Sequence, residues 1–127
     1  MSLTLHETFH DNNEIHQRKT TINDEPHGIY QTWHKNGNME AEWNFVNGKP
    51  HGICKSWHEN GQIANMCSYI NGMFNGNSIS WYLNGQKCHE AFYINRRVEG
   101  ICKTWHPNGQ INCETFYVNG QIEGLLS

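Results

Sequence analysis

The stretch HGICKSWHENGQIANMCSYING, residues 51–72, contains two Asn-Gly pairs, Asn60-Gly61 and Asn71-Gly72. Both residue types accept positive φ at low cost. A type I′ turn needs two such residues in succession, and its twist suits the strands on either side. Two turn signals in so short a segment predict two strands. Residues 52–58 rise, Glu59 to Gly61 turn, and residues 62–70 return. Ile53, Lys55 and Trp57 alternate on the first strand, while Ile63, Asn65, Cys67 and Tyr69 are expected on one face of the second.

Outward from this stretch the pattern recurs every 24 residues without insertion. Gly28, Gly52, Gly76, Gly100 and Gly124 form one column, and Trp33, Trp57, Trp81 and Trp105 another. The first turn recurs with Gly37, Gly61, Gly85 and Gly109, each after an Asn, and the second at Asn47-Gly48, Asn71-Gly72, Asn95-Arg96 and Asn119-Gly120. Full units then occupy residues 26–49, 50–73, 74–97 and 98–121. Residues 1–25 are a degenerate opening unit, with Phe9 at the Trp position, Asn12-Asn13 at the first turn and Asn23-Asp24 at the second. A capping unit differs from the others because one of its sides has no repeat to pack on. Residues 122–127 supply a partial last strand. The whole of 1–127 is therefore one array, all-β, in a single elongated and twisted antiparallel sheet of about five hairpins. With strands about 4.8 Å apart, each hairpin advances the sheet by roughly 10 Å and the array by about 50 Å. The four in-register Trp residues are expected to form an aromatic spine.

Composition narrows the function. Nine Lys and Arg against twelve Asp and Glu leave a net charge of −3, a poor match for nucleic acid or anionic lipid. No stretch has the roughly 20 apolar residues of a membrane span, and the N-terminus lacks a secretory pattern, so an intracellular protein is expected. Five cysteines, an odd number without C-x-x-C spacing, point to reduced thiols and away from a disulfide framework or a metal knuckle.

A unit that reads H-G-I-C-K-S-W-H-E-N-G-Q and closes on Tyr69-Ile70-Asn71-Gly72 resembles the variant MORN repeat. The resemblance runs from Pro26 to Gly124. The unit lacks the Tyr-x-Gly and Gly-x-Gly patterns of the commoner MORN repeat and matches the form centred on Trp-x-x-Asn-Gly. The resemblance implies an array of β-hairpins in one twisted sheet. It also implies the roles of such arrays: scaffolds, membrane-associated organisers, antitoxin-like inhibitors of a partner, and proteins of giant viruses.

The candidate site residues are weighed against their place in the repeat. His34, His58 and His106 follow the Trp column, with Tyr82 interrupting the row. At about 10 Å from one another they cannot share an ion whose bonds are about 2.1 Å. Cys54 and Cys102 are equivalent residues two units apart, near 20 Å, and Cys67 and Cys113 belong to different columns, so the thiols are read as small apolar packing groups. No catalytic residue, metal site or cofactor is expected, because the glycines belong to turns and no phosphate loop or nucleophile elbow is present. Unit 74–97 departs most from the pattern, through Asn77, Lys87, His89 and the pair Arg96-Arg97. An Arg at positive φ costs of order 1 kcal/mol, so either that turn changes type or the site accepts strain. Trp43, Phe92 and Phe116 form either an exposed adhesive stripe or the covered side of the sheet.

These residues point to a non-enzymatic interaction or scaffolding module with another protein as partner and no small-molecule substrate. A second copy of the chain is a further partner, through the C-terminal edge with Leu125 and Leu126. Arg96 and Arg97 carry the weaker alternative of nucleic acid or an acidic membrane.

Overall fold

In the computed structural model the chain folds as one open antiparallel sheet. The structure describes residues 2–125, with the backbone alone at Leu125. The strands are β1 Leu3–Phe9, β2 Ile15–Ile22, β3 Glu25–Trp33, β4 Met39–Val46, β5 Lys49–Pro50, β6 Gly52–Trp57 and β7 Ile63–Ile70. They continue as β8 Met73–Phe74, β9 Gly76–Trp81, β10 Lys87–Ile94, β11 Arg97–Trp105, β12 Ile111–Val118 and β13 Gln121–Leu125. Each pairs with its sequence neighbour, and the short β5 and β8 are the first halves of the rises that β6 and β9 complete. Among the described residues no helix is long and apolar enough to cross a membrane.

The two turns of a unit differ, which corrects the expectation of two type I′ turns. At the first, the His58 N–H donates to the Gln62 carbonyl at 2.8 Å and the Gly61 N–H to the His58 carbonyl at 2.9 Å. Gly61 has φ 89 and Asn60 is not among the positive-φ residues. This is a type I turn closed by one left-handed glycine. Asn60 serves through its side chain, whose Oδ1 accepts the Gln62 N–H at 3.0 Å. The second turn is type I′, with φ 51 at Asn71 and 80 at Gly72. Arg96 holds φ 72 after Asn95 at 48, so that turn keeps its type and accepts the strain.

Gly28, Gly52, Gly76 and Gly100 lie in strands and not in turns. All four have positive φ, from 79 to 111. Between β2 and β3 the register passes from Lys19↔Tyr30 to Thr21↔Pro26, leaving three residues opposite one. The glycine column marks this bulge, where a residue without Cβ takes up the excess chain.

A second bulge changes the facing of the return strand. Trp57 pairs with Ile63 but Ser56 pairs with Asn65, which leaves Ala64 as the extra residue. Ile63 therefore shares the face of Trp57, opposite to Asn65, Cys67 and Tyr69, because one inserted residue reverses every side chain beyond it.

Burial is unequal on the two faces. Thr21, Phe45, Ala91 and Thr115 are buried and share one face with Tyr30, Trp43, Cys54, Cys67 and Tyr69, which we call the aromatic face. The other, the isoleucine face, exposes Ile29, Ile53, Ile70, Ile94 and Ile101. Among the described residues no large side chain is fully buried. Ring contacts on the aromatic face join Tyr30, Trp43 and Phe45 to one another, and link Tyr69 with Phe74 and Phe74 with Tyr93. Among the described residues the expected spine does not form: no two of Trp33, Trp57, Trp81 and Trp105 are in ring contact. Equivalent positions lie two strands apart, roughly 10 Å, with a return strand between them. Cations lie over two of these rings instead, Arg18 over Trp33 at 5.5 Å and Lys87 over Trp105 at 5.9 Å.

Candidate interaction surfaces

Hydrogen bonds between units absorb much of the polar pattern. The Nε2 atoms of His10, His34 and His58 lie 2.8, 2.8 and 3.0 Å from the carbonyls of Trp33, Trp57 and Trp81. Tyr82 takes the same place with its hydroxyl, donating to the Trp105 carbonyl at 2.6 Å. One turn later, the Nδ2 groups of Asn12, Asn36, Asn60 and Asn84 donate to carbonyls of the next loop at Lys35, Glu59, Leu83 and Pro107. At the opposite margin of the sheet, the N–H groups of Gly48, Gly72, Arg96 and Gly120 donate to the carbonyls of Pro26, Pro50, Phe74 and Val98. Each such bond contributes about 1 kcal/mol net. In a sheet without a second layer these bonds do much of what a core does elsewhere. His34 and His58 of the His row thus belong to one of these ladders, and among the described residues no three His, Cys, Asp or Glu converge as metal ligands.

The sequence-predicted contact residues are not brought together. Trp43 projects from the aromatic face, 40% exposed, whereas Phe92 and Phe116, 42% and 40% exposed, lie on the isoleucine face. The single stripe expected of the three does not exist, since position 43 is one residue out of step with 92 and 116 in the period. Phe92 and Phe116 occupy the column of Thr20, Asn44 and Ser68. There Thr20 donates to the His27 carbonyl, and the Asn44 Nδ2 donates to the His51 carbonyl at 3.2 Å. Ile101 pairs with Phe116, so a small apolar patch forms on the last two units. Arg97 lays its stem under the next turn, with its Cβ 3.5 Å from where a Cβ on Gly120 would stand, and Arg96 lies in the preceding turn. Leu125 pairs with Thr115 through the backbone, and Leu126 lies outside the described residues.

A feature that sequence reasoning missed lies between units 26–49 and 50–73. A cleft of about 520 Å³ opens on the aromatic face, with Tyr30 and Trp43 on one side and Ala41, Ser56 and Ala64 among its lining. His34, Glu40, His58 and Asn65 also border it. Its origin is legible by column. Where other units carry Gln17, Asn65, His89 and Cys113, this unit has Ala41. Where others carry His16, Glu40, Cys88 and Asn112, the next has Ala64. Two truncated side chains beside the bulkiest residue of its own column, Trp43, leave the hollow. The Glu40 carboxylate stands 3.8 Å from the His34 Nδ1.

Trp43 also connects the cleft to a thiol pair. Cys54 stands opposite Cys67, its cross-strand partner, and the two thiols shift each other, with the Trp43 indole acting on Cys54 as well. The Cys54 proton, given to Cys67, is held firmly, so that thiol is pushed far up, with burial adding to the effect. The Cys54 thiol stabilises the Cys67 thiolate and, with the Tyr69 hydroxyl and against burial, lowers Cys67 to about 7. Burial, together with the neighbouring Cys67, raises Tyr69 to about 12.

No curated protein matches the chain. The profile of the MORN repeat variant matches residues 26–47, 50–71 and 98–125. The matched segments make up more than half of the sequence and leave out unit 74–97, the one that departs most from the period. With a hairpin per period and one continuous sheet, the chain belongs to the MORN repeat variant family.

Proposed function

We propose that the protein is a non-enzymatic interaction module that holds a segment of another protein in the Tyr30–Trp43 cleft. MORN repeats are in general protein- or membrane-binding scaffold modules. The observation that carries the reading is the cleft itself, a hollow formed where two units lose side chains the others keep, beside a 40% exposed indole. An exposed Trp beside a pocket lined by small groups is the usual anchor of a protein interface. The occupant is a segment with an apolar side chain against Trp43 and Ala64, and a basic group near Glu40.

Panning a displayed peptide library on the full chain tests this. Enriched peptides should lose at least ten-fold in affinity with Trp43→Ala and keep it with Ile53→Ala on the opposite face. Unchanged affinity for Trp43→Ala sinks the assignment.

A second reading rests on the patch of Phe92, Ile101 and Phe116, whose exposure is 42%, 45% and 40%. Loss of peptide binding with Phe92→Ser and Phe116→Ser, while Trp43→Ala is neutral, would move the site to the isoleucine face.

A further inference from the structure

We propose that Cys54 and Cys67 form a dithiol that peroxide oxidises to a cross-strand disulfide between β6 and β7. The two residues are direct register partners on the aromatic face. Opposed residues of an antiparallel pair have Cα atoms about 4.5 to 5.5 Å apart, inside the range of roughly 4.4 to 6.8 Å that a disulfide spans. Both thiols are partly exposed, so a molecule as small as hydrogen peroxide reaches them. Of the other cysteines, Cys102 faces Thr115 and Cys113 faces Thr104. Cys88 falls at a register shift, between Lys87 and His89, and so has no register partner on β9.

The pair is chemically unequal, which provides an attacking and a resolving sulfur. Cys67 has its pKa lowered to about 7 by the Cys54 thiol and the Tyr69 hydroxyl, so a large fraction is thiolate at neutral pH. Cys54 keeps its proton. The Cys67 thiolate attacks one peroxide oxygen and the O–O bond breaks. The departing hydroxide takes a proton, giving water and a Cys67 sulfenic acid. The Cys54 sulfur then attacks the Cys67 sulfur, the S–O bond breaks, and the leaving hydroxide takes the Cys54 proton as a second water. Two thiols are oxidised by two electrons and one peroxide is reduced to two waters. The Cβ atoms of such a pair, about 5 Å apart, must approach to about 3.8 Å, which strains the bond and makes it readily reducible.

The test uses the full chain, treated with hydrogen peroxide at near-equimolar ratio, blocked by alkylation and digested with trypsin without reduction. Cleavage after Lys55 separates the partners, since residues 36–55 contain Cys54 alone and residues 56–87 contain Cys67 alone. The expected product is a monomer in which these two peptides are joined, two hydrogens lighter, and released by reductant. Cys54→Ser should leave a sulfenic acid at Cys67 that dimedone traps, and Cys67→Ser should slow peroxide consumption roughly ten-fold. Peptides joined only between molecules, or oxidation that starts at Cys88, Cys102 or Cys113, overturns the proposal. The wild-type digest decides this even if a variant fails to fold.

Discussion

The Nε2 atom of His34 sits 2.8 Å from the main-chain oxygen of Trp57, so the side chain after one unit's tryptophan is held by the tryptophan of the unit that follows. The contact spans 23 residues and repeats at His10, His58 and Tyr82. It makes the Trp-His pair of the motif a joint between units.

Removing one joint should therefore cost stability without altering the fold. His34→Ala is expected to lower the unfolding free energy by about 1 kcal/mol, the net value of one part-buried hydrogen bond. Tyr82→Phe should cost a similar amount while keeping the ring, since only the 2.6 Å bond to the Trp105 carbonyl is lost. Urea denaturation midpoints at unchanged slope check both.

The second turn gives a prediction of opposite sign. Arg96 stands at φ 72 where units 26–49, 50–73 and 98–121 have glycine at φ near 80. Arg96→Gly should stabilise by about 0.5 kcal/mol, the relief of left-handed strain less the greater freedom of glycine in the unfolded chain. Gly72→Arg should destabilise by about 1 kcal/mol. The nearest atom a Cβ there would meet is the Lys49 Cβ, at 3.5 Å, an ordinary contact that leaves the strain as the cost. Thermal unfolding of the two variants against wild type measures the pair.

The bulge glycines separate strain from crowding. Gly52 has φ +90 and open space around a built Cβ, so Gly52→Ala should cost about 1 kcal/mol from strain alone. At Gly76, φ +111, the added methyl would stand 3.1 Å from the Ser68 Cβ. Gly76→Ala should cost about 2 kcal/mol or more, and Ser68→Gly in the same chain should recover part of it. Equal losses at the two sites would show that the close approach relaxes freely.

Reaction of Cys67 with a maleimide should show its pH midpoint at about 7 in the folded chain, against the ordinary 9.0 after unfolding in urea. The sign for stability follows from the lowered value. The contribution of Cys67 is fully present above 9.0 and is lost as pH falls through about 7. Cys54 shifts the other way, so its contribution is present below 9.0 and lost above it. Stability from the pair should rise between these pH values and decline beyond them. Cys54→Ser, which replaces the thiol donor, should move the Cys67 midpoint.

Much of the architecture is written in local signals. The spacing of 24, the two turns and two strands of each unit, and the disguised turns at Asn12-Asn13 and Asn23-Asp24 follow from residues that tolerate positive φ next to alternating runs. The candidate cleft was partly legible too. Ala41, Ala64 and Trp43 stand out when the columns are compared, although unit 74–97, with its Arg96-Arg97, draws the eye first. The facing of Ile63 and the opposition of Cys54 to Cys67 were not legible, because each depends on the extra residue at Ala64.

The sequence alone determined the period, the number of hairpins and the antiparallel sheet, since turn preference and alternation act within a few residues and need no partner. Tertiary structure alone decided which side chains share a face, which glycines bulge and which turn, and which carbonyl receives His34. A one-residue bulge reverses every side chain beyond it, and contacts two strands away depend on the accumulated register rather than on any local preference.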